Sequence, residues 1–112
     1  MTLYDFLNIK DGFIKINSKE LSVITIVKAF NAVETTGSNV SEIIIHPERL
    51  IELQNKAKAD IFEGKNIYKK IIQEKSIFGA QIIIDNDIEP QIIQFNDIQK
   101  TPNKSVKLFI EN

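Results

Sequence analysis

The sequence predicts an α+β fold, with helices packed on a small, mostly antiparallel or mixed sheet. Three observations lead there. Two isoleucine-rich runs, Ile43-Ile44-Ile45 and Ile82-Ile83-Ile84, have the length and β-branched character of strands. Between them Leu50, Leu53, Ala57 and Ile61 recur at helical spacing, the stripe of an amphipathic helix. After them Gln91 to Phe95 and Val106 to Ile110, parted by turn residues, read as two further strands.

With 112 residues and a net charge of -1, the chain fits one domain and gives no electrostatic ground for nucleic-acid or membrane binding. There is no cysteine, which excludes disulfides and thiolate sites and fits a reducing compartment. Residues 1–10 hold no apolar run of signal-peptide length, and no segment reaches the ~20 apolar residues of a membrane span. The expected protein is soluble and cytoplasmic. About one residue in five is isoleucine, which suits a sheet-rich core and equally suits an AT-rich genome.

Taken in order, residues 1–18 read as an N-terminal arm and a short strand. Tyr4, Phe6, Leu7 and Ile9 form a helical turn or a docking arm, and Phe13, Ile14 and Ile16 form a strand after the turn pair Asp11-Gly12. Asn17 to Glu20 has the form of a helix cap with Glu three positions on. Val23, Val27, Phe30 and Val33 then predict a helix from Lys19 to Thr35, although Ser22 to Val27 has strand character too. Gly37 fits its C-cap. Glu42 to His46 is expected as a strand buried on both faces, because its three isoleucines do not alternate. Pro47 suits the first helical position, and Glu48 suits the positive helix end. Gly64 breaks the stripe, and a shorter helix through Ile67 and Ile71 is expected behind an Asn66 cap. Ile77 to Asp85 reads as one strand with a bulge or close backbone approach at Gly79. Asp85-Asn86-Asp87 and Thr101 to Lys104 read as turns. The core spans residues 19–98, and 104–112 supply the C-terminal strand.

No catalytic or metal motif stands out. His46, the single histidine, has no partner at ligand spacing, so local hydrogen bonding accounts for it. Asp85, Asn86 and Asp87 could ligate a hard cation but lack the glycine and terminal Glu of a calcium loop; a hairpin turn is the simpler reading. Glu34 to Asn39 lacks the Gly-Lys-Ser/Thr of a phosphate loop and reads as a helix exit. Lys56, Lys58, Lys65, Lys69, Lys70 and Lys75 are interleaved with Asp60, Glu63 and Glu74, as in solvated helix faces with ion pairs. Tyr4, Phe6, Phe13 and Phe109 near the two ends are either interface anchors or core.

From Lys19 to Phe95 the order is a helix, a loop with Gly37-Ser38-Asn39, the strand Ile43-Ile44-Ile45, and a helix opened by His46-Pro47-Glu48-Arg49-Leu50. A second helix ends at Glu74 and leads to Ile77-Phe78-Gly79-Ala80-Gln81-Ile82-Ile83-Ile84. This resembles the axial domain of the tailed-phage major capsid and encapsulin fold. The N-terminal arm, extended loop and peripheral helix of a full capsid subunit do not fit in this length. The closer resemblance is therefore to the truncated axial-domain, or fourth-family, encapsulins of archaea. It implies a non-enzymatic, self-associating structural protein with no cofactor, with itself as partner and a cargo or neighbouring enzyme as a further partner class. The missing peripheral domain leaves shell closure open. By the same resemblance Glu74, Lys75, Ser76, Ile77, Phe78 and Gly79 would form an axis-facing loop, while Tyr4, Phe6 and Phe109 are candidate interface residues.

Two other readings compete. In one, a small binding module offers the edge of Val106 to Ile110 to a strand of a partner protein or enzyme. In the other, an enzyme or ligand domain uses His46 with Glu48 or the Asp85 to Asp87 turn.

Overall fold

The computed structural model describes residues 8–10, 13–35, 37, 39–59, 64–97 and 104–111, the backbone alone at 8–10, 13–15, 64–65 and 104–105. Along the chain run β1 (Asn8–Lys10), β2 (Phe13–Ser18), α1 (Val23–Thr35), β3 (Glu42–Ile45), α2 (Pro47–Ala59) and α3 (Gly64–Lys69). The last of these continues as a π-helical turn (Lys70–Glu74), and β4 (Ser76–Ile77), β5 (Ala80–Ile84), β6 (Ile92–Asp97) and β7 (Lys104–Ile110) follow. The described strands form one mixed sheet in the order β1-β2-β7-β6-β3-β5-β4. β2 with β7 and β3 with β5 are parallel, and the other four pairs are antiparallel. The expected α+β class is the observed one.

The helices share one face of the sheet. Ile43 and Ile45 of β3, Ala80 and Ile82 of β5, Ile93 and Phe95 of β6, and Val106, Leu108 and Ile110 of β7 are buried in one cluster with Ile26, Ala29, Phe30 and Val33 of α1, Leu50, Leu53 and Ala57 of α2, and Ile71. The opposite face has no helical layer among the described residues. β3 therefore alternates, with Ile43 and Ile45 buried and Glu42 and Ile44 half-buried. This corrects the expectation of burial on both faces: an unbroken isoleucine run masks the period of two by which a strand distinguishes its faces.

Several boundaries differ from expectation for stated physical reasons. Asn17 and Ser18 pair with Phe109 and Ile110 of β7 and so belong to β2, not to a helix cap. The sheet ladder overrides the local capping pattern, and the cap moves to Ser22, whose Oγ accepts the Thr25 N–H at 3.2 Å. Pro47 does open α2. Asn66 lies inside α3 and does not cap it, and Gly64 begins that helix. The expected strand Ile77 to Asp85 is instead a hairpin, with Ile77 opposite Ala80 and only Phe78 and Gly79 between. Asp85 to Asp87 does not close a hairpin either, because β3 lies between β5 and β6. Asp85 Oδ1 accepts the Asp87 N–H at 2.8 Å, which makes it a side-chain-closed turn. Lys104 belongs to β7 and not to the turn before it. β7 itself lies between β2 and β6, so Val106 to Ile110 is no sheet edge and cannot accept a partner strand. The turns at Asp11-Gly12 and 101–103, and residues Thr36, Ser38, Asp60, Ile61 and Glu63, lie outside the described residues.

Candidate functional site

The segment Glu74 to Gly79 concentrates unusual backbone. It begins where the helix loosens into its π-helical turn, whose interior residue Ile71 is 1 % exposed. Wide turns of this kind recur at functional sites. Lys75 ends the helix at φ 53°, and its N–H donates to the Lys70 carbonyl. That is the left-handed cap usually taken by glycine or asparagine. Two residues on, Phe78 at φ 50° and Gly79 at φ 84° form a two-residue turn with both central φ angles positive, as a type I′ hairpin requires. Glycine is at home there. Phenylalanine is not, because its Cβ crowds the carbonyl at about 1–2 kcal/mol.

The Phe78 ring is what this strained turn holds in place. It stands edge-on to Phe30 of α1, with centroids 5.4 Å apart and planes at 79°. Phe30 meets Phe95 of β6 in the same manner at 5.9 Å and 82°. Three rings thus run from the surface to the floor of the core, each pair in the edge-to-face geometry that the ring quadrupole favours. Phe78 nevertheless remains 44 % exposed. Beside it lies a cavity of about 450 Å3 lined by Asn66, Ile67, Lys69, Lys70, Ile77 and Phe78. Of the six expected loop residues, Glu74, Lys75, Phe78 and Gly79 are exposed, Ser76 is half-buried, and Ile77 is a core residue at 1 % exposure.

A second surface is the uncovered sheet face. Cross-strand pairing puts Ile44 beside Ile83 and Gln94, Gln94 beside Lys107, and Ile92 beside Phe109. A polar row runs next to them. Asn96 Nδ2 donates to Glu42 Oε1 at 3.0 Å, and Gln94 Nε2 donates to Asn96 Oδ1 at 2.9 Å. The row fixes the amide orientations, and Asn96 is 9 % exposed. Phe109, expected at an interface, is half-buried on this face; Tyr4 and Phe6 lie outside the described residues.

The chemical candidates resolve into structural roles. His46 caps α2: its Nδ1 accepts the Glu48 N–H at 3.1 Å, and its carbonyl accepts the Arg49 and Leu50 N–H groups. Arg49 Nε donates to the Pro90 carbonyl at 2.7 Å and its guanidinium pairs with Glu52, which ties α2 to the turn before β6. Among the described residues no group of three or more His, Asp or Glu side chains is placed to hold a metal ion. Of the lysines of the middle segment, Lys56, Lys58, Lys69, Lys70 and Lys75 are exposed, as solvated helix faces require, while the expected partners Asp60 and Glu63 lie outside the described residues. Lys58 lies 5.8 Å from the centroid of the Tyr68 ring, and Lys69, Lys70 and Lys75 form no ion pair with Glu74 or any other described acid. No described helix is long and apolar enough to cross a membrane.

Sequence reasoning missed the uncovered face and the cavity. The first was readable only by knowing which isoleucines alternate. The second depends on the π-helical turn, which leaves no local sequence signature. Comparison of the chain with protein-family models, with curated proteins and with solved structures finds no match in any of the three.

Proposed function

We propose that this protein is a non-enzymatic structural protein that associates with itself, and that the uncovered sheet face is where two copies meet. The observation that carries the reading is the make-up of that face. Of its eleven positions with described side chains, Asn17, Glu42, Ile44, Ser76, Gln81, Ile83, Ile92, Gln94, Asn96, Lys107 and Phe109, four are large and apolar. A second sheet packed on it would complete a sandwich of the ordinary kind, with inner faces ~10 Å apart. A two-fold axis along β6 would set β7 of one copy over β3 of the other. Lys107 and Ile44 both pair with Gln94, so Lys107 would then lie over Ile44, one cross-strand pair from Glu42, and Ile92 would meet its own copy across the axis.

Five strands spaced ~4.8 Å and about five residues long give a face of roughly 400–500 Å2. Two copies would bury about 800–1,000 Å2, the lower limit for a specific contact, so a weak dimer in rapid exchange is expected. The resemblance to an axial domain of the encapsulin and capsid fold supports the same reading through the order of elements from Lys19 to Phe95. It rests on those residues alone.

Light scattering coupled to size exclusion across a concentration series tests the proposal. At roughly 0.5 M salt, where contacts between exposed charges are screened, the expected result is a mass rising from 12.8 kDa toward twice that value, and a return to the chain mass on Ile83→Lys with the fold intact by circular dichroism. A chain that stays monomeric at all concentrations would sink it. Recovery of a second polypeptide at one-to-one stoichiometry from native extract would favour the alternative, a binding module for a partner protein.

A further inference from the structure

The uncovered face accounts for one contact between copies; the outer edge of the sheet beyond β5 offers another. Two of the six large apolar side chains most exposed among the described residues stand at the two ends of β5: Phe78 at 44 % and Ile84 at 43 %. They fall into two patches of opposite charge. At the start of β5, Phe78 lines the cavity together with Lys69 and Lys70, and exposed Lys75 precedes it by three residues. Glu74 is the single acid in that stretch, and it forms no ion pair with these lysines. At the far end of β5, Ile84 leads into Asp85, Asp87 and Glu89, with half-buried Ile88 among them. The Asp85–Asp87 bond gives this turn a fixed shape before any partner arrives.

The two patches cannot satisfy each other within one molecule. Five residues of β5 separate them, about 17 Å at the rise of a strand. That exceeds the Debye length of about 8 Å at physiological salt. Oppositely charged, apolar-centred patches at the two ends of one strand are complementary between copies.

We infer that the β5 edge carries a head-to-tail contact in which the turn Asp85 to Glu89 of one copy seats in the lysine-lined cavity beside Phe78 of the next. Ile84 and Ile88 would cover the Phe78 ring and the Ile77 floor, while the carboxylates meet Lys69 and Lys70. A volume of about 450 Å3 lies in the range of roughly 300–1,000 Å3 that takes a drug-sized group, enough for the tip of a turn. Such a contact uses two different surfaces, so it propagates from copy to copy until a ring closes or a filament grows. The strained αL Phe78 acquires a role here, because the turn that holds it aims an aromatic anchor outward. The inference rests on the self-association reading but uses a surface separate from the uncovered face.

Charge reversal tests it, in an Ile83→Lys background that removes the face-to-face dimer. The parent in that background should assemble beyond the monomer at low salt and lose about tenfold in association constant between roughly 0.05 M and 0.5 M salt. Lys69→Glu with Lys70→Glu should abolish assembly, and so should Asp85→Lys with Asp87→Lys. An equimolar mixture of these two double variants should associate again, because the lysine turn of one meets the glutamate cavity of the other. Two folded double variants that remain monomeric when mixed would overturn the contact, as would a cavity variant that assembles like its parent. Failure of the face-to-face dimer would appear separately, as a wild-type association that Ile83→Lys leaves unchanged.

Discussion

Replacing Phe78 by asparagine sets two opposing terms against each other, and the structure says which is larger. Asparagine accepts a left-handed backbone, so the substitution relieves about 1 kcal/mol of crowding at φ 50°. It also removes a ring that is 44 % exposed and therefore covered over somewhat more than half its surface. That corresponds to roughly 100 Å2 of an aromatic side chain, or about 2.5 kcal/mol at ~25 cal/mol per Å2, an upper figure because the unfolded chain is itself partly compact. Loss of the edge-to-face contact with Phe30 adds about 1 kcal/mol. Asparagine would recover a fraction of the covered area. The balance is a net loss of about 2 kcal/mol, which lowers the melting temperature by about 8–10 °C in a domain of this size. Urea unfolding gives the free energy directly. A double-mutant cycle of Phe30→Leu and Phe78→Leu should return a coupling of about 1 kcal/mol. An asparagine variant that melts at or above the wild type would refute the argument, because strain would then outweigh everything the ring touches.

The neighbouring positions give predictions of differing sign. Gly79→Ala should cost about 1 kcal/mol, entirely from backbone conformation: φ is +84° and an added Cβ meets nothing within 4 Å. A loss of several kcal/mol in the same unfolding assay would point to a collision that the structure does not contain. Lys75→Gly should stabilise by about 0.5–1 kcal/mol, since glycine takes the helix cap at φ 53° without crowding; a lower urea midpoint would contradict this. Ser22→Ala should cost about 1 kcal/mol by removing the acceptor of the Thr25 N–H. Amide exchange should be accelerated at Thr25, and unchanged protection there would count against Ser22 as the cap.

Legibility in the sequence followed the length scale of each signal. The α2 stripe was legible because Leu50, Leu53 and Ala57 satisfy one period within one element, and Pro47 marks its start by removing an N–H the helix does not need there. The cap of α1 was misread because Asn17 and Ser18 are claimed by a strand pairing with Phe109 and Ile110, more than ninety residues away in the chain. No local pattern reports such a partner. The Phe78-Gly79 turn was hidden for another reason. Asparagine or aspartate before glycine announces a type I′ hairpin, whereas phenylalanine in that place conceals it inside an apolar run. The segment Glu74 to Gly79 was singled out through a resemblance and not through its own chemistry. Its left-handed residues, and the lysine-lined cavity beside it, emerge only once the π-helical turn is placed.

A single architectural choice links the proposed surfaces. With α1, α2 and α3 all on one face, β5 is covered on that face alone, and β4 pairs with only its first two residues, Ala80 and Gln81. The Ile82 N–H still donates to the Lys75 carbonyl at 2.7 Å, so β5 meets solvent along its outer edge only beyond Ile82, and through Ile83 on the uncovered face. Ile84 continues the apolar run past the reach of β4 and stays 43 % exposed. An isolated domain would be expected to blunt such a strand with charge, proline or a bulge. Here the charges stand at its two ends with opposite signs and leave the middle apolar. That arrangement does little to protect the edge, and in the proposed head-to-tail contact it would set the direction from which a second copy approaches.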